Sequence, residues 1–176
     1  MSEGHACLVI ADESAEFPAA LTYAGQLAKV NGWRLVMLRV IQPSDPAPWA
    51  SITEEMRRQA LDAAESLTQR FAAEVWAECG VTAEPVLREG SAKQELKKLI
   101  EEDLSLKLVV LASAASSSGG PGPFVASLAK GSGLSSRHIP VMVIPSALSR
   151  EEIRALAIPM PVAPPEPDPP ETPPAA

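Results

Sequence analysis

The chain has 176 residues, 46% of them apolar but only 4% aromatic, and a formal net charge of −7. That length fits one domain with an appendage, and Leu, Val, Ile and Ala must do most of the packing. The acidic balance argues against non-specific nucleic-acid binding, which needs clustered Lys and Arg to replace counterions, and against binding to anionic membrane surfaces.

The amino terminus, Met1-Ser2-Glu3-Gly4-His5, has neither the basic nor the apolar region of a signal peptide. No apolar run approaches the ~20 residues that span a bilayer. Cys7 and Cys79 make no metal-ligand spacing and no redox pair. They read as buried structural thiols, and a reducing cytoplasm is expected. His5 and His138 have no acidic or cysteine neighbour that would suggest a metal site, and read as surface histidines.

Residues Ala6 to Ala11 form a continuous apolar run, as in a strand buried on both faces. Asp12-Glu13-Ser14 breaks it. Phe17, Ala20, Leu21, Ala24, Leu27 and Ala28 then recur at helical spacing. Pro18 is tolerated in the first turn of that helix, and Asn31-Gly32 ends it. Trp33 to Ile41 is the second strand, followed by a loop marked by Pro43, Pro46 and Pro48.

The longest helix is predicted from about Thr53 to Cys79, with Met56, Ala60, Ala63, Leu67, Phe71 and Val75 as its apolar stripe and Gly80 as its stop. Val81 to Arg88 is a third strand, which Pro85 assigns to a sheet edge. Ser91 and Gln94 have the spacing of a capping box for the next helix, whose buried face is Leu96, Leu99 and Ile100.

Lys107 to Ala112 is a fourth strand and Val141 to Ile144 a fifth. Between them lie the loop Ser116-Ser117-Ser118-Gly119-Gly120-Pro121-Gly122-Pro123 and a helix-like run containing Gly131-Ser132. Ser149 and Glu152 are spaced as a second capping box. From Pro159 onward lie 9 of the 18 prolines, mixed with Glu and Asp. Such a segment buries too little apolar area to offset its ordering entropy. Three parts are therefore expected: an α/β domain over residues 1–147, a short helix over 148–157, and a disordered tail over 158–176. The tail reads as solubilising, with a proline-rich ligand for an unknown protein partner as the other reading.

Alternation of strand and helix implies an α/β fold, an open five-stranded parallel sheet with helices on both faces. A small-residue loop leaving the carboxyl end of a buried strand is where such sheets bind ligands. Its backbone N–H groups suit an anion such as a phosphate. Competing chemistries leave no trace. There is no Gly-x-Gly-x-x-Gly after the first strand, no P-loop and no Gly-x-Ser-x-Gly elbow. Arg88-Glu89 stands where a phospho-receiver aspartate would end the third strand, and Glu101-Glu102-Asp103 reads as a solvated helix end. No nucleophile–base pair emerges, so no catalytic residue is assigned.

Several stretches resemble the universal stress protein family. Ala11-Asp12-Glu13-Ser14 is similar to its first turn, and Arg39-Val40-Ile41 to its second-strand ending. Gly131-Ser132 and Ile139-Pro140-Val141-Met142-Val143-Ile144 are similar to its closing motif. Leu87-Arg88-Glu89-Gly90 and Gly120-Pro121-Gly122-Pro123 resemble a bacterial subgroup. The resemblance covers Ala6 to Ile144. It implies the strand order 3-2-1-4-5, a homodimer, and an adenine nucleotide such as ATP, with or without Mg²⁺, held between strands one and four.

Carried onto this chain, the nucleotide site would comprise Ala11, Asp12, Val40, Ala112, Gly120, Gly122, Gly131 and Ser132. The chain departs from the family at the phosphate loop. Ala112-Ser113-Ala114-Ala115 replaces the first glycine pair, and 15 residues separate Ala115 from Gly131. A displaced match, Gly119-Gly120-Pro121-Gly122, lies 8 residues before Gly131-Ser132. Two functions follow: a stress-response regulatory module that binds ATP or AMP without efficient turnover, or a dimeric adaptor of the same fold that binds no nucleotide. The last strand, Val141 to Ile144, is an uncharged apolar edge and is expected to pair with its copy.

Overall fold

Parallel pairing of five short apolar strands organises the chain. A computed structural model describes residues 4–42, 50–114, 120–131 and 133–159, with the backbone alone for 50–53. The expected proline loop at 43–48, Ser116 to Gly119, Ser132 and the tail from residue 160 lie outside the described residues.

The strands are β1 (Ala6–Ile10), β2 (Arg34–Ile41), β3 (Ala83–Glu89), β4 (Leu106–Ser113) and β5 (Val141–Pro145). The helices are α1 (Phe17–Asn31), α2 (Ala50–Cys79), α3 (Ala92–Glu102), α4 (Pro123–Ala129) and α5 (Arg150–Leu156). The sheet order is β3-β2-β1-β4-β5, with every pairing parallel. β3 is an edge strand, as Pro85 requires: it pairs with Met37 of β2, and its missing N–H leaves no gap in a ladder on the other side.

Alternate residues of the central strands feed two cores. Cys7, Val9, Leu35, Met37, Leu108 and Val110 face α1, α2 and α5. Leu8, Val36, Leu38, Val109 and Leu111 face Leu96, Leu99 and Ile100 of α3. The period of two along each strand is what divides them. The six apolar positions expected of α1 are all buried, and so are Thr22, Tyr23, Gly25 and Gln26. This helix is enclosed because the sheet, α2 and α5 all pack on it. Gly32 ends it at φ 65°, a left-handed residue as expected.

Several expectations are corrected. The buried stripe of α2 is Ala64, Leu67, Thr68, Phe71, Val75 and Cys79, whereas Ala63 and Met56 are exposed. A stripe read in steps of four drifts by about 40° per step, because the helix turns every 3.6 residues. By the amino-terminal half Ala64 has replaced Ala63 on the inner face. Ser91 occupies the N-cap of α3 without a side-chain cap, so no capping box forms with Gln94. The helix-like run after the loop stops at Ala129, and Gly131 lies beyond it at φ 79°. Glu101, Glu102 and Asp103 are partnered by Ser136, Arg88 and Ser105. His5 is half-buried, edge-on to Trp33 at 5.7 Å.

At the carboxyl end, Ser149 and Glu152 form the expected capping box, each side chain bonded to the other's backbone N–H. Ile153 is 1% exposed within the larger core, and Arg150 reaches Glu78 of α2 at 3.4 Å. The short helix is therefore part of the packed body. Both cysteines are free and buried. Burial pushes the Cys7 thiol up to about 12, so it stays protonated and unreactive near neutral pH.

A cleft at the carboxyl ends of the first and fourth strands

β1 lies between β2 and β4, so the chain's crossovers leave the sheet in opposite directions on either side of it. This reversal opens a crevice at the carboxyl ends of β1 and β4. A cleft of about 260 Å³ occupies that place. Its floor is Ile10, Leu111 and Ala112. One wall is the β1–α1 loop, with Asp12, Ser14 and Glu16. The other is the entry to α4, with Gly120, Pro121, Gly122, Pro123, Phe124 and Val125.

Each wall has a local cause. Asp12 accepts hydrogen bonds from the backbone N–H of Ser14, at 2.9 Å, and from the Ser14 hydroxyl. The helix-capping role open to an aspartate here is not the one it takes, since the N-cap of α1 is Glu16. The turn is also held from below. Ala11 donates to the Leu38 carbonyl at 2.7 Å, and its own carbonyl accepts from an Arg39 Nη at 3.3 Å. A second Arg39 nitrogen lies 3.9 Å from Glu13. Arg39 thus braces the loop that carries Asp12. The motif Arg39-Val40-Ile41 reads in sequence as a strand ending, with no bracing role for the arginine. The available signal was a cation inside an apolar strand.

On the opposite wall, Gly120 and Gly122 have φ of 67° and 79°. A side chain at either would be strained by its backbone conformation, not by crowding, because a Cβ there meets nothing within 4 Å. Pro123 opens α4 in the first-turn position that needs no N–H. Phe124, Val125 and Leu128 pack on the α3-side core, and Lys93 donates to the Ser127 hydroxyl at 3.1 Å. These contacts hold α4 beside the cleft.

Of the expected site residues, Asp12, Ala112, Gly120 and Gly122 meet at this cleft. Ala11 is 2% exposed beneath it and contributes its carbonyl to the Arg39 contact. Val40 packs against the α3-side core, and Gly131 follows α4; neither is among the described lining residues. Ser132 lies outside the described residues. Ser14, Glu16 and Phe124 line the cleft without having been anticipated.

Comparison with known proteins places this geometry. No curated protein matches the chain in sequence. The universal stress protein UspA from Lactobacillus plantarum is similar in structure, with a TM-score of 0.63 and 16% identity, over 82% of this chain and 99% of that one. A universal stress protein from Archaeoglobus fulgidus in complex with dAMP gives 0.56 and 14%, over 82% and 99%. A universal stress protein family protein from Arabidopsis thaliana with AMP bound gives 0.54 and 16%, over 80% and 91%. At such identities the likeness is one of fold. The family model for the universal stress protein family matches residues 5–145, and the chain belongs to that family.

Proposed function

We propose that this chain is a cytoplasmic regulatory protein of the stress response that binds an adenine nucleotide, ATP or AMP, in the cleft between β1 and β4 without efficient turnover. The observation that carries the reading is the convergence of Asp12 with the Gly120–Gly122 wall at the topological switch point of the sheet. Structural relatives described with AMP and dAMP support the choice of adenine. Asp12 would accept from ribose or adenine, and the glycine wall would admit close approach of the ligand.

A melting curve with AMP, and another with ATP and Mg²⁺, tests this. Ligand at 100 times its dissociation constant adds ~2.7 kcal/mol, or a rise of about 5–10 °C for a domain of this size. Asp12→Ala should reduce the shift, with a fall of only about 1 kcal/mol in ligand-free stability from the lost Ser14 hydrogen bonds. An unmoved curve with both nucleotides, and none released on denaturation, would instead favour the adaptor reading. That alternative draws support from Pro121 and Pro123, which bring no N–H donors to the wall.

The same proposal includes a homodimer through β5. Among the described residues this strand pairs with β4 alone, and Val143 on it is 38% exposed. Its free edge can pair with a second copy about a two-fold axis. Val143→Lys would bury an unpaired charge at that seam, at a cost of several kcal/mol, and should raise the dimer dissociation constant ~100-fold or more. Light scattering at micromolar concentration reads this directly. A monomeric parent protein, or a variant that dimerises as well as the parent, rejects the interface. The proline-rich segment is read as a solubilising tail, with an unknown protein partner as the other reading.

A further inference from the structure

The described lining of the cleft carries two carboxylates. Asp12 and Glu16 both line it, and the described lining contains no lysine or arginine. Glu16 sits at the N-cap of α1 and its carbonyl accepts from Ala19, yet its carboxylate makes no capping bond and has no partner among the described residues. Arg39 is the arginine that braces this loop, and it is turned away. It alternates along β2 with Val40, which packs on the α3 side where the cleft opens. One Nη donates to the Ala11 carbonyl and the other lies 3.9 Å from Glu13, while its Nε is buried without a partner among the described residues. Pro121 and Pro123 supply no N–H donors to the facing wall.

We infer that the cleft selects among adenine compounds by charge. It takes the neutral nucleoside or the monophosphate in preference to the triphosphate, and Glu16 is the residue that sets this preference. The inference rests on the adenine-nucleotide reading above. Asp12 already has a function toward the ligand, as an acceptor for hydroxyl or amino groups. Among the described residues the Glu16 carboxylate has no partner, which leaves its charge to act on a phosphate. ATP adds roughly two negative charges to those of AMP. At separations near 7 Å even a water-like dielectric makes each added pair of like charges unfavourable by a fraction of a kcal/mol, and several such pairs sum to about a ten-fold loss of affinity at low salt.

Titration calorimetry on the full chain with adenosine, AMP and ATP, in EDTA and again in Mg²⁺, tests the inference. Adenosine and AMP should bind, and ATP should bind about ten-fold more weakly than AMP at ~0.05 M salt. In 1 M salt, where the screening length falls to ~3 Å, the gap should close. Glu16→Gln should raise ATP affinity several-fold more than adenosine affinity. ATP binding tighter than AMP in EDTA, or an AMP-to-ATP ratio in EDTA that Glu16→Gln leaves unchanged, overturns charge selection while leaving the nucleotide site standing. Failure of all three compounds to bind overturns both readings.

Discussion

Gly25→Val is expected to destabilise the protein by about 3 kcal/mol or more, at the upper end of overpacking effects. Gly25 lies in the middle of α1, where α1 crosses α2. A Cβ built on it falls 2.5 Å from Val75 Cγ2 and 2.9 Å from Cys79 Sγ. Neither neighbour can withdraw freely, since Val75 is 1% and Cys79 2% exposed. Glycine inside a helix costs up to ~1 kcal/mol relative to alanine, so its presence here reflects the close approach of the two helices. Val75→Ala removes the nearer obstacle. Combined with Gly25→Ala it should recover part of the loss, leaving a coupling energy that urea unfolding of the two singles and the double can resolve. A Gly25→Val protein as stable as the parent would mean that the two helices are not packed this tightly.

Phe17→Ala should cost ~3–5 kcal/mol, the usual range for removing a buried phenyl ring. Phe17 is 1% exposed at the first residue of α1, and its ring meets Phe71 of α2 edge-on, with centroids 4.6 Å apart. It anchors the helix start directly after the loop that carries Asp12 and Glu16. The variant should therefore lose ligand affinity as well as stability. Thermal unfolding measures the first, and calorimetry below the lowered melting temperature measures the second. A loss below about 1 kcal/mol would show that the site collapses around the missing ring, since the cost depends on how far the cavity relaxes. Phe17→Leu, which keeps most of the apolar volume, should retain most of both properties.

Much of the architecture follows from local pattern. Strands buried on both faces leave continuous apolar runs such as Ala6–Ile10, and these need only the residue types to be recognised. The stops at Gly32 and Gly80, where φ is 65° and 70°, follow from the backbone freedom of glycine. The edge position of β3 follows from Pro85, and the Ser149–Glu152 box from side-chain reach. The cleft was legible in part. Asp12 follows the first strand, and Gly120 and Gly122 precede a helix, so their neighbourhood at the switch point follows from a parallel sheet.

Other features depend on contacts between segments distant in the chain, which no local pattern encodes. The choice of Ala64 over Ala63 as an inner residue of α2 depends on the rotation of that helix against α1. Ser91 and Gln94 have the spacing of a capping box, and Ser91 has the extended backbone of an N-cap, yet its side chain makes no capping bond. Arg39 lies 28 residues from the Ala11 carbonyl that it braces, and only strand pairing brings them together. Gly25 reads as a weakness in a helix until α2 is packed beside it. Glu16, at the N-cap of α1, carries no signal of its own in the sequence and becomes part of a cleft only where α4 forms the opposite wall. The sequence by itself determined the strands, most helix ends and the sheet's class, because those rest on the periodicity and backbone freedom of neighbouring residues. Tertiary structure decided which helix faces meet, which arginine braces the loop and which charges line the cleft, because those depend on distances between elements that only packing sets.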